Sequence, residues 1–467
     1  MHPPLPAIAF RALPRLICAI VLITVATAAA AAVHYVRPGA TGANTGADWA
    51  NAFKALPANL VRGDTYYLGP GAYGAHTFAD AASGTLPITL LRATATDHGT
   101  GSGWQAAYAS GAATFTHWEI WTDWYVFDGR HRNADWRLGT TSQYGIRVQG
   151  PNTGGTKTVR LDDTMGHGGN HLVFRYIDLV GGGRDTGNGD DVVYGLIAAT
   201  DLVFQYCAMH DSDRTIFLMR GNWQRMLVDH CYIARNTSVP AVHGEMLSMT
   251  WSTDVTWSNN VMEDIEGTGF IVGLSSGTAA HWRVFGNTAF HSAAYAADTG
   301  RKPGHNWGVS GFIYIADDAD DRNIGNDIQV VNNTFANIVG TWSGVVILKG
   351  SGNVVRNNLW YASVQTGMQL GTGGTVSHNW YYQTQADGDS SPTKVTCTTG
   401  CNVFVDVAGK DFHLVKSLAS GYALAAPMVV DGDGVTRAIS GTWDRGAFQY
   451  PGGVLSPAAA PKGLTVQ

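Results

Sequence analysis

A short motif that returns along the chain constrains the fold more than any other feature of the sequence. The copies are "VFRYIDL", "VFQYCAM", "VDHCYI", "WSNNVM", "VFGNTAF", "VVNNTF", "VRNNLW" and "VSHNWYY". They align on Ile177, Cys207, Cys231, Asn260, Asn287, Asn333, Asn358 and Asn379, which are separated by steps of 30, 24, 29, 27, 46, 25 and 21 residues. Most of these steps fit one coil of a solenoid made of three short strands, and the 46-residue step then contains an insertion.

The aligned column also predicts how such coils hold together. Stacked parallel coils lie about 4.8 Å apart, so like residues form ladders. A buried asparagine can bond the backbone of a turn and the amide of the next asparagine, which satisfies polar groups that are otherwise costly to bury. We therefore predict an all-β fold, a parallel β-helix with three-strand coils and an internal asparagine ladder. Cys207 and Cys231 occupy adjacent rungs, where we expect free thiols because in-register neighbours rarely have disulfide geometry.

The composition is consistent with this fold and excludes one class of partner. Glycine accounts for 58 of 467 residues, which favours many short strands joined by turns over helices. The hydrophobic content of 45% argues against disorder. Only 14% of the residues are charged, and no basic tract is present to bind a phosphate backbone. Nucleic acid is therefore not an expected partner.

The two ends of the chain have patterns of their own. Arg11 and Arg15 precede the apolar run "LICAIVLITVATA" and the small residues before Ala32, which is the pattern of an export signal. We predict a signal peptide at 1–32, a β-helix domain at 33–451 and a flexible tail at 452–467. The mature chain should be a monomer without a membrane span, extracellular or periplasmic. In that oxidising compartment, "CTTGC" predicts a disulfide between Cys397 and Cys401.

Two long segments resemble a known group of proteins. The segment 34–74, with "GDTYYLGPGAY", resembles the entry segment of secreted parallel β-helix proteins of the pectin-lyase-like superfamily. The segment 411–450 resembles the closing segment common in that group. The resemblance implies a right-handed parallel β-helix over nearly the whole mature chain. It leaves the function open, because this architecture carries lyases, hydrolases, epimerases and adhesins.

Charged residues concentrate around the stretch "SVPAVHGEMLSMTW" (238–251). Two acidic residues each follow their aligned position by six residues, and the turn 232–244 leads to the strand "MLSMT" between them. We expect these side chains to share one face of three successive coils: Asp213, Arg214, Arg220, His243, Glu245 and Glu266. Acids gathered around a histidine and arginines suit a site that handles an anionic sugar, directly or through Ca²⁺. The alternative is a set of polar turn residues that face water.

The segment 245–273 is similar to the catalytic region of polysaccharide lyase family six, which includes alginate lyase and chondroitinase B. The resemblance implies that Glu245 binds calcium, and we predict Asp213 and Glu266 as the other ligands. Thr250 occupies the position of that family's lysine base, and its arginine position falls near Gly273. We therefore predict His243 as the base for β-elimination. Arg214 or Arg220 would stabilise the enolate or the carboxylate.

The long repeat step holds a further candidate for substrate binding. Its segment "DTGRKPGHNWG" contains Arg301, Lys302, His305 and Trp307, which we predict to form a cleft wall that grips an anionic chain, although a solvated loop is equally compatible. The predicted function is a secreted lyase of a uronic-acid-containing polysaccharide. A glycoside hydrolase on the same scaffold, with two carboxyl groups across the scissile bond, is one alternative. A non-catalytic carbohydrate-binding or surface adhesin is the other.

Overall fold

The computed structural model describes residues 31–451 except 152, 154, 156, 163–167, 185, 238–243, 273–276, 299–310, 316–322, 340–343, 364–367, 385–387, 396–400 and 438–439. The first strands are β1 Val33–Val36, β2 Thr65–Leu68, β3 Gly71–Phe78, β4 Ile88–Arg92, β5 Ala113–Ile120, β6 Tyr125–Asp128, β7 Ile146–Gln149, β8 Lys157–Arg160, β9 Leu172–Arg175, β10 Ile177–Val180 and β11 Asp191–Gly195. The next are β12 Ala199–Gln205, β13 Ala208–Ser212, β14 Phe217–Asp229, β15 Tyr232–Asn236, β16 Leu247–Ser258, β17 Val261–Ile265, β18 Phe270–Val272, β19 Thr278–Phe285, β20 Thr288–Phe290, β21 Ile313–Ile315 and β22 Ile324–Val331. The last are β23 Thr334–Ala336, β24 Val345–Ser351, β25 Val354–Arg356, β26 Leu359–Tyr361, β27 Met368–Thr372, β28 Thr375–Ser377, β29 Trp380–Tyr382, β30 Thr393–Val395, β31 Phe404–Asp406, β32 Asp411–Leu414, β33 Ala419–Tyr422 and β34 Thr442–Asp444. Helical segments of the described chain are the α-helix Ala293–Ala297 and the 3₁₀ turns Ala106–Ala109 and Trp136–Leu138.

The strands β1–β30 form three parallel sheets that wind into coils. Sheet A contains β1, β2, β4, β6, β9, β12, β19, β22, β25, β28 and the second halves of β14 and β16. Sheet B contains β7, β10, β13, β15, β17, β20, β23, β26, β29, β30 and the first parts of β3 and β5. Sheet C contains β8, β11, β18, β21, β24, β27, the second parts of β3 and β5 and the first halves of β14 and β16. In each coil the chain passes from A to B to C, and each strand pairs in parallel with its counterpart one coil away. This is a parallel β-helix, so the predicted fold class is confirmed.

The predicted asparagine ladder runs through the bend between sheets A and B. The Oδ1 atom of Asn287 accepts hydrogen bonds from the backbone N–H and the amide of Asn260, both at 3.0 Å. The same pattern repeats from Asn287 to Asn333 and onward to Asn358 and Asn379. Each asparagine is buried, and each amide also bonds a backbone carbonyl of the coil before it. The ladder therefore pairs side-chain groups that would otherwise be buried without partners.

The backbone conformation at the bend explains which residue types precede each position of the ladder. The backbone there is left-handed, with φ of 53° at Tyr176, 59° at Tyr206 and 56° at Asn259. Asparagine tolerates this conformation better than most residues, and Gly286 adopts it without a steric penalty. The same column contains Cys207 and Cys231 on the two coils that precede Asn260, and both are buried free thiols as predicted.

Apolar side chains from all three sheets fill the interior of the coils. This core includes Phe174, Phe204, Trp257 and Phe270, and the rings of Phe174 and Phe204 stack at 4.6 Å. A second apolar cluster lies on the outer side of sheet B, where the hairpin β31–β32 covers it. Trp443 of β34 belongs to a separate small cluster with Phe285 and Val331, at the ends of sheet A strands. The stacked coils therefore expose parts of sheets A and C, whereas the C-terminal segment covers much of sheet B.

Several sequence-based expectations concern residues that the structure leaves undescribed. The proposed signal peptide up to residue 30 and the tail at 452–467 lie outside the described residues. Cys401 is disulfide-bonded, and its predicted partner, Cys397, also lies outside them. Within the described part of the chain, no helix combines the length and the apolar character needed to cross a membrane.

Candidate functional site

Charged side chains from four successive coils meet on sheet C. Lys157 pairs in register with Asp191, and Arg160 pairs with Tyr194. The next two coils add two arginines from the chain around the start of β14 and a glutamate that precedes β16. We call this set the charged face, and it comprises Lys157, Arg160, Asp191, Tyr194, Arg214, Arg220 and Glu245. Few residues of the chain are charged, so a group of charged side chains of this size is not expected from ordinary turn residues.

Asp191 is the anion that organises the basic residues. Its fully buried carboxylate lies 2.6 Å from Nζ of Lys157 and accepts a 2.7 Å hydrogen bond from Nε of Arg214. Arg214 Nη2 and the Thr215 hydroxyl also donate to it. Burial alone would lower the pKa of Arg214, but its bonds to Asp191 and the charge of that carboxylate raise it. Two cations on different coils are thus fixed by one carboxylate.

Arg220 differs from Arg214 because its guanidinium forms no ion pair with a carboxylate among the described residues. A β-bulge places Arg220 and Gly221 opposite the single residue Thr250, and bulges commonly re-aim side chains in this way. The Thr250 hydroxyl fixes the bulge by bonding both the N–H and the carbonyl of Gly221 at 2.9 Å. Within the described residues, the half-buried guanidinium of Arg220 makes no hydrogen bond or ion pair. Burial lowers its pKa, the charge of Glu245 opposes this effect, and the charge of Arg214 adds to it.

Tyr194 supplies a phenol between the basic residues. Nζ of Lys157 lies 4.7 Å from the centre of its ring, and the guanidinium of Arg160 lies 5.9 Å away. Burial raises the pKa of Tyr194, and the charges of Asp162 and Asp191 raise it further. The phenol is therefore protonated at neutral pH and can donate a proton.

The carboxylates predicted as calcium ligands lie in different surroundings. Asp213 is fully buried and accepts hydrogen bonds from the backbone N–H groups of Asn188 at 2.8 Å and Asp190 at 2.7 Å, and from the Thr186 hydroxyl. Glu266 follows β17 in the register position of Asp213, two coils further on. Among the described residues, no three histidine, cysteine, aspartate or glutamate side chains are grouped to hold a metal ion. The set of Asp213, Glu245 and Glu266 is therefore not assembled there, and we derive no step through calcium.

The structure thus brings together only part of the predicted site. Arg214, Arg220 and Glu245 share the charged face, and the charge of Glu245 acts on both arginines. The predicted base, His243, and the predicted substrate-binding residues Arg301, Lys302, His305 and Trp307 lie outside the described residues. Their assignments stay predictions.

Sequence reasoning missed Lys157, Arg160, Asp191 and Tyr194. A signal was present, because "VVYGL" (192–196) occupies the same register as "IFLMR" (216–220) and "MLSMT" (246–250). Including that strand in the alignment would have placed Asp191 and Tyr194 one coil before Arg214. Lys157 lies one coil earlier still, beyond the first copy of the repeat motif.

A second charged cluster lies on sheet B, away from the charged face. His210 is buried, with Nε2 at 2.8 Å from Asp178 and Nδ1 at 2.6 Å from Asp211. Arg235 binds Asp211 through Nε at 2.7 Å and Nη2 at 3.0 Å. Burial alone would lower the pKa of His210, but its hydrogen bonds to the two carboxylates raise it. Both imidazole nitrogens are engaged, so this cluster stabilises the stacked coils rather than presenting a reactive group.

We compared the chain with known proteins by sequence and by structure. The sequence matches no protein-family profile and no curated protein sequence. The pectate lyase Pel9A aligns at 15% identity over 90% of this chain and 97% of its own, with a TM-score of 0.48. A mannuronic acid specific family 6 lyase from human gut microbiota aligns at 9% identity over 78% and 82%, with a TM-score of 0.40. The GH136 lacto-N-biosidase from Eubacterium ramulus aligns at 12% identity over 78% and 66%, with a TM-score of 0.32.

These TM-scores are all below 0.5, so the alignments assign neither a superfamily nor a function to this chain. The parallel β-helix that the two ends of the sequence led us to expect is shown by the strand pairing of the chain itself. The identities are too low for any residue of the charged face to be assigned by comparison. Its chemistry has to be argued from its own geometry.

Proposed function

We propose that the protein is a polysaccharide lyase that cleaves an acidic, uronic-acid-containing chain by β-elimination at the charged face. The observation that carries this proposal is the state of Arg220. It is a half-buried cation without a partner among the described residues, and it lies beside two cations that Asp191 already holds in place. An anionic group on a ligand would complete this arrangement.

The uronate carboxylate is the group that Arg220 would bind. Removing the proton from C5 places negative charge on that carboxylate, and elimination is slow unless a cation stabilises it. A half-buried guanidinium interacts more strongly than one in water because the local dielectric constant is lower. Arg214 and Lys157 are pre-positioned by Asp191, so they add positive potential without needing to reorganise.

The remaining roles are two proton transfers. The bond from C5 to hydrogen breaks, the double bond between C4 and C5 forms, and the bond from C4 to the glycosidic oxygen breaks. We assign the proton abstraction to His243, two residues before Glu245, and protonation of the departing oxygen to Tyr194. The Tyr194 phenol carries its proton at neutral pH and lies among the basic residues of the charged face, so it is the described group that could donate to the departing oxygen.

A panel of alginate, polygalacturonate and chondroitin sulfate tests the proposal. Wild-type protein should release products with the ultraviolet absorbance of an unsaturated uronate. Arg220→Ala should lower kcat/KM by about 100-fold or more, and Arg220→Lys should restore part of it, because a buried charge-stabilising contact contributes about 3 kcal/mol. Arg225→Ala is the matched control, since Arg225 is an exposed cation on sheet A that pairs with Asp201.

The other outcomes of this experiment identify the alternatives. New reducing ends without the unsaturated product would replace the lyase with a glycoside hydrolase. Retention of the polymer without cleavage would indicate a binding protein or adhesin. A Tyr194→Phe variant with an unchanged rate would remove Tyr194 from the mechanism and leave the role of Arg220 standing.

Export from the cytoplasm is part of the same proposal. A polymer of this kind is too large to be cleaved inside the cell without prior uptake, so we place the mature chain outside the cytoplasm. The support is the sequence pattern of residues 1–32. Cleavage near Ala32 is checked by N-terminal sequencing of the protein purified from its natural source.

A further inference from the structure

An exposed tryptophan lies directly beside the charged face. Trp251 is 41% exposed, and every other tryptophan among the described residues is buried or half-buried. It follows Thr250, the residue that faces the bulge of Arg220 and Gly221. Trp251 therefore lies one residue further along the strand and one coil further along the helix than Arg220.

The neighbours of Trp251 on the adjacent coils are polar and accessible. Asn222 pairs with it in register on the preceding coil and is exposed. Ser252 pairs with Ala279, which places Thr278 next to Trp251 on the following coil, and Thr278 is half-buried. Within the described residues, neither the Asn222 amide nor the Thr278 hydroxyl makes a hydrogen bond. Both are available to a ligand.

Apolar surface also flanks Arg220 on its other side. Gly195 pairs with Met219, so Leu196 lies opposite Arg220 on the preceding coil, and its side chain is 45% exposed. A cation is thus placed between two accessible apolar side chains, Leu196 and Trp251. This pattern complements a sugar acid, which carries a carboxylate on a ring whose C–H faces are apolar.

The geometry points to a pyranose-binding subsite at Trp251, in which the indole stacks on the sugar next to the one whose carboxylate Arg220 binds. Asn222 and Thr278 would bond the hydroxyl groups at the edges of that ring. An aromatic face gives a sugar a broad apolar contact, and flanking amide and hydroxyl groups supply directional bonds. The inference deepens the proposed function and rests on it, because it commits the ligand to an acidic polysaccharide.

The charged face and the tryptophan together imply a direction for the bound polymer. Lys157, Asp191 and Arg220 lie on three successive coils of sheet C, Arg214 shares the coil of Arg220, and Trp251 lies on the coil after it. A polysaccharide that contacts both must run along the helix axis toward the C-terminal coils. The subsite would hold the sugar on that side of the bond that is cleaved.

Affinity electrophoresis tests this inference without depending on turnover. Wild-type protein is run in native gels that contain alginate or polygalacturonate, and in gels that contain an uncharged β-glucan. We expect retardation by at least one polyuronate and none by the glucan. Trp251→Ala should weaken the apparent affinity about fivefold, Trp251→Phe should retain most of it, and both should keep the wild-type melting temperature.

The matched control is Val405→Ala, which removes another exposed apolar side chain from β31, on the hairpin that covers sheet B, and should not change the retardation. Equal retardation of Trp251→Ala and wild type would overturn the subsite. An absence of wild-type retardation by both polyuronates would overturn it as well. Retardation that depends on Trp251 without any unsaturated product would keep the subsite and remove only the lyase.

Discussion

Arg214 and Asp191 lie on neighbouring coils and form a bidentate ion pair, with Nε of the arginine 2.7 Å from Oδ1 of the aspartate. The pair decides the electrostatics of the charged face. Asp191 also holds Lys157, so a single buried carboxylate fixes two cations and leaves Arg220 as the cation available to a ligand. The proposed function depends on this division of roles among basic residues that look equivalent in the sequence.

The first prediction concerns that carboxylate. Asp191→Asn keeps the shape of the side chain but leaves Lys157 and Arg214 without their counter-charge, so we expect a loss of about 3 kcal/mol in the free energy of unfolding. Urea denaturation measures this loss. The control, Asp201→Asn, breaks the exposed pair with Arg225 and should cost less than about 1 kcal/mol. Equal effects of the two variants would show that Asp191 does not hold the face together.

The second prediction concerns the asparagine ladder. Asn333→Ala removes the acceptor used by Asn287 and the donor that bonds Asn358, and it should cost about 1–3 kcal/mol by leaving these groups without partners. The comparison is Asn222→Ala, an exposed asparagine outside the ladder, which should change stability by less than about 0.5 kcal/mol. A ladder variant as stable as this control would contradict the structural role of the column.

The third prediction follows from the charged cluster on sheet B. The pKa of His210 is raised above 6.5 in the folded protein, so its stabilising contribution is complete below about pH 6.5 and is lost as the pH rises through the folded pKa. Over a range of pH that begins at about 5.5, we therefore expect the difference in unfolding free energy between wild type and His210→Asn to be constant at first and to shrink once the pH exceeds about 6.5. The pKa of Asp211 is lowered, since its bonds to His210 and Arg235 outweigh the effect of burial, so its own contribution is lost only in acid.

A control histidine separates this effect from general titration. His281 is exposed and pairs with Asp327 on the surface of sheet A. His281→Asn should leave the pH dependence of stability close to that of wild type. A difference for His210→Asn that stays constant across the range would show that His210 is not held in its charged form.

The fourth prediction addresses the role of Asp213. Its carboxylate already accepts hydrogen bonds from the loop that contains Thr186, Asn188 and Asp190, so Asp213→Asn should destabilise the protein by about 1–3 kcal/mol. We expect wild type and this variant to respond identically to a chelator and to added calcium. A calcium response that is present in wild type and absent in Asp213→Asn would restore Asp213 as a metal ligand, with Glu245 and Glu266 as its predicted companions.

The sequence by itself determined the fold and its ladder. Each coil contacts only its neighbours. Residues one repeat apart in the sequence, such as Asn260 and Asn287 or Asn333 and Asn358, are therefore expected to stack on adjacent coils. The two buried thiols followed from the same column. A repeat converts distance along the chain into distance in space, which is why these features could be predicted without coordinates.

The tertiary structure decided which charged residues belong together. Asp213 and Glu245 are close in the repeat arithmetic, but Asp213 accepts hydrogen bonds from a preceding loop, whereas Glu245 acts on the two arginines. Arg220 is displaced by a one-residue bulge, and no spacing rule anticipates that bulge. Lys157 lies before the first copy of the repeat motif, and the strand that contains Asp191 was not included in the alignment. Side-chain direction at a turn depends on local backbone geometry and on the competition for hydrogen bonds, and both are settled only when the coils are stacked.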